Sequence, residues 1–95
     1  MNTIRITGDG TYPIPRNKQG GNADKLIVLA SGVYGTAVAH LHILNGAGAW
    51  VALVDGEILV DVQSVLHAGG DLRFALVVTG SDGTTNIIFD TEETG

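Results

Sequence analysis

Short runs of β-forming residues, each closed by a glycine-containing turn, constrain this chain more than any other feature. Asp9-Gly10, Asn45-Gly46, Asp55-Gly56 and Asp82-Gly83 punctuate runs centred on Ile4, Leu26, Val38, Trp50, Ile58, Leu72 and Ile87. Such dipeptides supply the positive-φ positions of tight turns. The pattern predicts an all-β fold: a compact antiparallel β-sandwich, jelly-roll-like, of seven to eight short strands with an extended N-terminal arm.

The runs differ in kind. Thr3-Ile4-Arg5-Ile6-Thr7 alternates polar and apolar, as an edge or arm strand with one buried face does. Lys25-Leu26-Ile27-Val28-Leu29-Ala30 is continuously β-rich, as in a strand covered on both faces. From Thr36 to Leu44, Ala37, Ala39, Leu41 and Ile43 share one face and Val38, His40, His42 and Leu44 the other. Asn45-Gly46-Ala47-Gly48 turns the chain into Ala49–Val54, and Asp55-Gly56 leads on to Glu57–Asp61. Val62 to Gly70 fits either a strand or one helical turn ended by glycine. Asp71–Thr79 alternates again, and a closing hairpin through Ser81-Asp82-Gly83 leads into Asn86–Asp90. The domain reading is an arm and long loop over 1–24, a sandwich core over 25–90 and a polar tail over 91–95.

The segment Gly8 to Asp24 holds both prolines and is longer than the roughly 12–15 residues usual for a structureless loop. Pro13 and Pro15 keep Tyr12 and Ile14 extended. This stretch is the expected contact with something outside the subunit, with Tyr12, Ile14, Arg16 and Lys18 as its interface residues.

Ninety-five residues bury only about 60–65% of the surface their unfolded chain exposes. With no cysteine, neither a disulfide nor a thiolate zinc site can supplement the core, which leaves self-association. The composition, 44% hydrophobic and 16% charged, agrees with surface that a partner covers. A net charge of −5 argues against nucleic acid and against an anionic membrane as partner. Basic residues concentrate in the first half (Arg5, Arg16, Lys18, Lys25) and acidic residues in the second, a split that suits contact between neighbouring subunits or two solvated faces. Met1–Arg5 lacks the charged start and apolar run of a signal peptide, and no apolar stretch approaches the roughly 20 residues of a membrane helix. The expectation is a soluble protein made in the cytosol that reaches any other location within a larger assembly.

The residues that carry chemistry do not form a catalytic set. His40 and His42 project from one face of a strand and, with His67, form the one candidate metal-ligand set; the alternative is that they line a sheet face or a subunit contact. The cupin His-x-His pattern needs a following glutamate, where this chain has Ile43, Leu44, Asn45 and Gly46. Ser31, Ser64 and Ser81 lie outside any Gly-x-Ser-x-Gly elbow, and Gly8-Asp9-Gly10 lacks the lysine and helix of a phosphate loop. Asp55, Glu57 and Asp61 sit on a hairpin and not in a cleft. The reading is non-enzymatic, with no cofactor. Trp50 is either a core residue or a platform for a sugar ring.

The stretch from Thr36 to Asp90 resembles small β-sandwich virion proteins of tailed bacteriophages. The resemblance lies in Gly-Ala-Trp-Val-Ala-Leu-Val-Asp-Gly (48–56), Leu-His-Ala-Gly-Gly (66–70), Leu72-Arg73-Phe74, Val77-Val78-Thr79-Gly80 and Thr85-Asn86-Ile87, in that order. It departs in His40 and His42 and in the long segment before Lys25. What it implies is a structural protein of the virion, of the capsid decoration or cement type, that binds the major capsid protein on the head shell as a homo-oligomer, with a trimer favoured. A tail-fibre or receptor- or carbohydrate-binding module is the other role it implies.

Overall fold

The computed structural model describes residues 2–16, 25–68 and 72–94. Eight strands are present: β1 (Asn2–Ile6), β2 (Gly10–Pro13), β3 (Lys25–Val33), β4 (Val38–Leu44), β5 (Trp50–Glu57), β6 (Gln63–His67), β7 (Phe74–Thr79) and β8 (Asn86–Thr94). They form two four-stranded antiparallel sheets, ordered β1-β8-β3-β6 and β2-β7-β4-β5. The pairs β1·β8, β2·β7, β3·β6 and β4·β5 are nested like one long hairpin whose rungs alternate between the sheets. That nesting is the jelly roll.

Alternation along each strand decides what lies between the sheets. Ile6, Leu26, Val28, Ala30, Ile87 and Phe89 face inward from the first sheet, and Ala39, Leu41, Phe74, Leu76 and Val78 from the second. Ile58, just after β5, joins them. Each large buried side chain contributes about 1.5–3 kcal/mol, so this single core is the main source of stability in a chain without disulfides.

The N-terminal segment departs from the arm expected over 1–24. Asn2–Ile6 pairs along its length with Thr91–Ile87 of β8, and Gly10–Pro13 pairs with Val78–Ala75 of β7. Three residues, 7–9, carry the chain from one sheet to the other, so the segment supplies an edge strand to each. The alternation of Thr3 to Thr7 is what builds it in, because Ile6 has a buried place only inside the sandwich. At the other end, the expected polar tail is the last turn of pairing in β8: Thr91–Thr94 lies opposite Val28–Lys25, and Thr91 is buried.

The Asx-Gly dipeptides also work differently from simple hairpins. Only β4 and β5 are both consecutive and paired among the described strands. There Asn45 closes the turn by accepting the amides of Ala47 and Ala49, and the positive φ falls on Gly48 (82°). Asp9-Gly10 and Asp82-Gly83 are corners that pass the chain from sheet to sheet. Asp55-Gly56 lies inside β5, with the positive φ on Asp55 (55°). The ambiguous stretch 62–70 contains strand β6, which pairs with β3.

Candidate interaction surfaces

His40 and His42 stand on the outward face of the second sheet, since Ala39 and Leu41 between and beside them are buried. Their ring centroids lie 5.6 Å apart at 83°, edge to face. His40 lies opposite Glu57, His42 opposite Ala52 and Leu44 opposite Trp50, so Trp50 shares this outward face and is half-buried on it. The register breaks between the histidines: residues 53–56 of β5 stand opposite Leu41 alone. The bulge folds back over His40, so close that a Cβ on Gly56 would meet the His40 ring at 2.9 Å and the Leu41 carbonyl at 3.0 Å. Nδ1 of His40 contacts the Leu41 carbonyl oxygen at 2.9 Å, and Nδ1 of His42 is buried with no hydrogen-bond partner among the described residues.

His67 lies opposite Lys25 at the end of β6, on the outward face of the first sheet. The full thickness of the sandwich separates it from His40 and His42, and the candidate set of three does not come together. Among the described residues, no three histidine, cysteine or acidic side chains come together to hold a metal.

The residues expected at an external interface turn inward. The Tyr12 ring packs on the core and its hydroxyl donates to the Gly8 carbonyl at 2.8 Å. Ile14 is 4% exposed. The Arg16 side chain is 2% exposed: Nε donates to Glu93 Oε1 at 2.6 Å, while its two terminal nitrogens donate to the carbonyls of Leu72 and Ala68. One guanidinium thus joins the end of β2 to the end of β8, the exit of β6 and the entry of β7. Sequence reading placed these residues outside because the prolines and glycines around them resemble a loop, and none of Arg16's partners is closer than 52 residues along the chain. Lys18 lies outside the described residues.

Two aspartates bind the corners at the opposite end. Asp82 accepts the Thr84 hydroxyl at 2.6 Å and amide at 2.8 Å, and also the Thr36 amide at 3.1 Å. These bonds hold its carboxyl down at about 2, from the usual 3.8, with the Thr84 hydroxyl the largest cause. Asp9 accepts the Ser81 amide and is likewise lowered. Tyr34 is pushed up to about 12, first by burial and then by the charge of Glu57; its hydroxyl donates to the Ile58 carbonyl.

Of the nine large hydrophobic residues exposed among the described residues, Val33, Val38 and Leu72 lie apart and the other six lie on or between β5 and β6. Val51 and Val54 of β5, Leu59, Val60 and Val62 of the connection, and Val65 of β6 are all exposed, Val54 at 91%. β5 and β6 are each the outer strand of their sheet. Only residues 58–62 join them, so the two edges stack on one side of the sandwich, about 10 Å apart. Next to this side, the outward face of the first sheet holds a shallow cavity of about 240 Å³ lined by Ile27, Leu29, Gln63, Asp90, Thr91 and Glu92. Compared with known proteins, the chain matches no protein-family model, no curated protein and no solved structure.

Proposed function

We propose that this chain is a non-enzymatic structural protein of a virion, a capsid decoration or cement protein that binds the major capsid protein and stabilises the head shell as an oligomer on the capsid surface. The observation that supports this reading is the aliphatic side at β5 and β6, where Val51, Val54, Leu59, Val60, Val62 and Val65 are exposed together. Scattered apolar residues are ordinary on any surface, but six exposed aliphatic residues within fifteen positions of the outer strands are what a neighbouring subunit could cover. Tyr12, Ile14 and Arg16 are used within the subunit, so they support the aliphatic side as the contact surface in place of an arm through these three residues. Binding through a rigid side of the sandwich suits a small part held in many copies, where weak contacts add through avidity on a symmetric lattice.

The test is co-sedimentation of the full chain with purified phage head shells. Saturable binding at a fixed ratio to the capsid protein is expected, together with shells that resist heat better when decorated. Protein that stays in the supernatant at every ratio contradicts the proposal. The second role, a tail-fibre or carbohydrate-binding module, draws on the outward, half-buried Trp50 beside His42. It predicts glycan binding that Trp50→Ala abolishes.

A further inference from the structure

Among the described residues, four strands have no partner along one edge, and three of them carry a device that discourages pairing. β1 presents the exposed Arg5. β2 is four residues long and ends in Pro13. β5 is broken by the bulge at residues 53–56. β6, Gln63-Ser64-Val65-Leu66-His67, contains no Asp, Glu, Lys, Arg, Pro or Gly and no bulge, and its central Val65 is 56% exposed.

We infer that β6 is a self-association edge, and that its partner is β6 of a second copy of this chain, paired antiparallel about a two-fold axis through Val65. An antiparallel edge is its own complement, since its outward N–H and C=O groups repeat in the order the two-fold requires. Centring on Val65 uses all five residues: Val65 meets its counterpart, Ser64 meets Leu66, and Gln63 meets His67 of the second copy. The aliphatic pair falls on the axis and the amide lies against an imidazole, with no like charges opposed. A strand without acidic or basic residues gives an oppositely charged partner nothing to select, whereas it suits a copy of itself.

Area sets the strength of the pairing. The exposed aliphatic group is of the order of 500 Å², below the roughly 800 Å² that each partner of a standard stable interface buries. The dimer therefore depends on the backbone hydrogen bonds between the edges and forms in the micromolar range or weaker. Two-fold pairing also gives an even-numbered assembly, where the resemblance to virion proteins implied a trimer. The inference stands on the edge itself and does not require the head-shell role.

The experiment uses single cysteines, because the chain has none. Opposed strand residues place their Cα atoms about 4.5–5.5 Å apart, inside the range a disulfide spans. Under mild oxidation, Val65→Cys is expected to cross-link to twice the 9.8 kDa chain mass, while Val54→Cys, more exposed but on the bulge, lags far behind. In sedimentation equilibrium the parent chain is expected to dimerise reversibly, and Val65→Lys to weaken the dimer by about tenfold or more through charge repulsion at the axis. Circular dichroism confirms that both variants keep the fold. A parent chain that stays at 9.8 kDa up to millimolar concentration overturns the inference. So does a trimer, faster cross-linking at position 54 than at 65, or a dimer indifferent to Val65→Lys.

Discussion

Replacing Arg16 by alanine tests the integration of the N-terminal segment directly. The side chain is 2% exposed and makes one ion pair and two carbonyl hydrogen bonds, to groups on three other parts of the fold. Removing a buried arginine costs about 3–5 kcal/mol, because the Glu93 carboxylate loses a close counter-charge and the Leu72 and Ala68 carbonyls lose their donor. A domain of this size has about 5–14 kcal/mol in total, so the loss is about a fifth or more of its stability. At about 4–8 °C per kcal/mol for a chain this long, the midpoint should fall by on the order of 20 °C. Urea denaturation followed by Trp50 fluorescence supplies the free energy, and calorimetry the midpoint. Because the pair is dry, the loss should change little between about 0.05 and 0.5 M salt, where an exposed pair would be screened. A loss within about 0.5 kcal/mol, typical of a surface substitution, would refute the reasoning and return Arg16 to solvent, as an arm residue.

Other consequences follow from single features. Deleting residues 1–24 removes β1 and β2 with Ile6, Tyr12 and Ile14, about 5–9 kcal/mol of burial, and circular dichroism should show an unfolded chain; a folded remainder would mean that these strands are dispensable. Thr91 is 2% exposed and its hydroxyl has no partner among the described residues, so Thr91→Val should stabilise by about 1 kcal/mol in urea denaturation. Gly32 has φ +95° and a Cβ there would collide with the Asn86 carbonyl oxygen. Gly32→Ala should therefore cost more than the roughly 1 kcal/mol of ordinary glycine replacement, read as a lower denaturation midpoint. The lowered carboxyl of Asp82 contributes stability that is complete above its usual 3.8 and lost as pH falls toward about 2. Asp82→Asn should flatten acid denaturation in that window. Tyr34 works in the opposite sense: its raised phenol favours the folded state below pH 10, a contribution lost as pH climbs toward about 12, and Tyr34→Phe should remove that alkaline slope.

Periodicity carried most of the fold. The alternation in Thr3–Thr7, Thr36–Leu44 and Asp71–Thr79 identifies β1, β4 and β7 and the inward side of each, because a two-residue repeat has one physical cause. Turn chemistry carried less. An Asx-Gly pair says that the chain reverses, but in a jelly roll the next strand commonly joins the other sheet, and no local signal distinguishes that corner from a hairpin. The candidate surfaces were the least legible. Arg16 finds partners 52 to 77 residues away, and a basic residue after two prolines gives no hint of burial. The exposed edge of β6 is equally hidden, because Val65 and Leu66 spell an apolar run whose solvent-facing member depends on which strands lie beside it. His40 and His42 were placed on one face correctly by their spacing, while His67 was excluded only by sheet membership.

The proposed contact side, built by β5 and β6, is examined most directly by amide hydrogen exchange measured residue by residue at dilute and concentrated protein. Outward amides of Gln63–His67 should slow as concentration rises, while the edges of β1 and β2 exchange at unchanged rates. Concentration-dependent protection at β1 or β2 with none at β6, or a pattern identical at both concentrations, would contradict it.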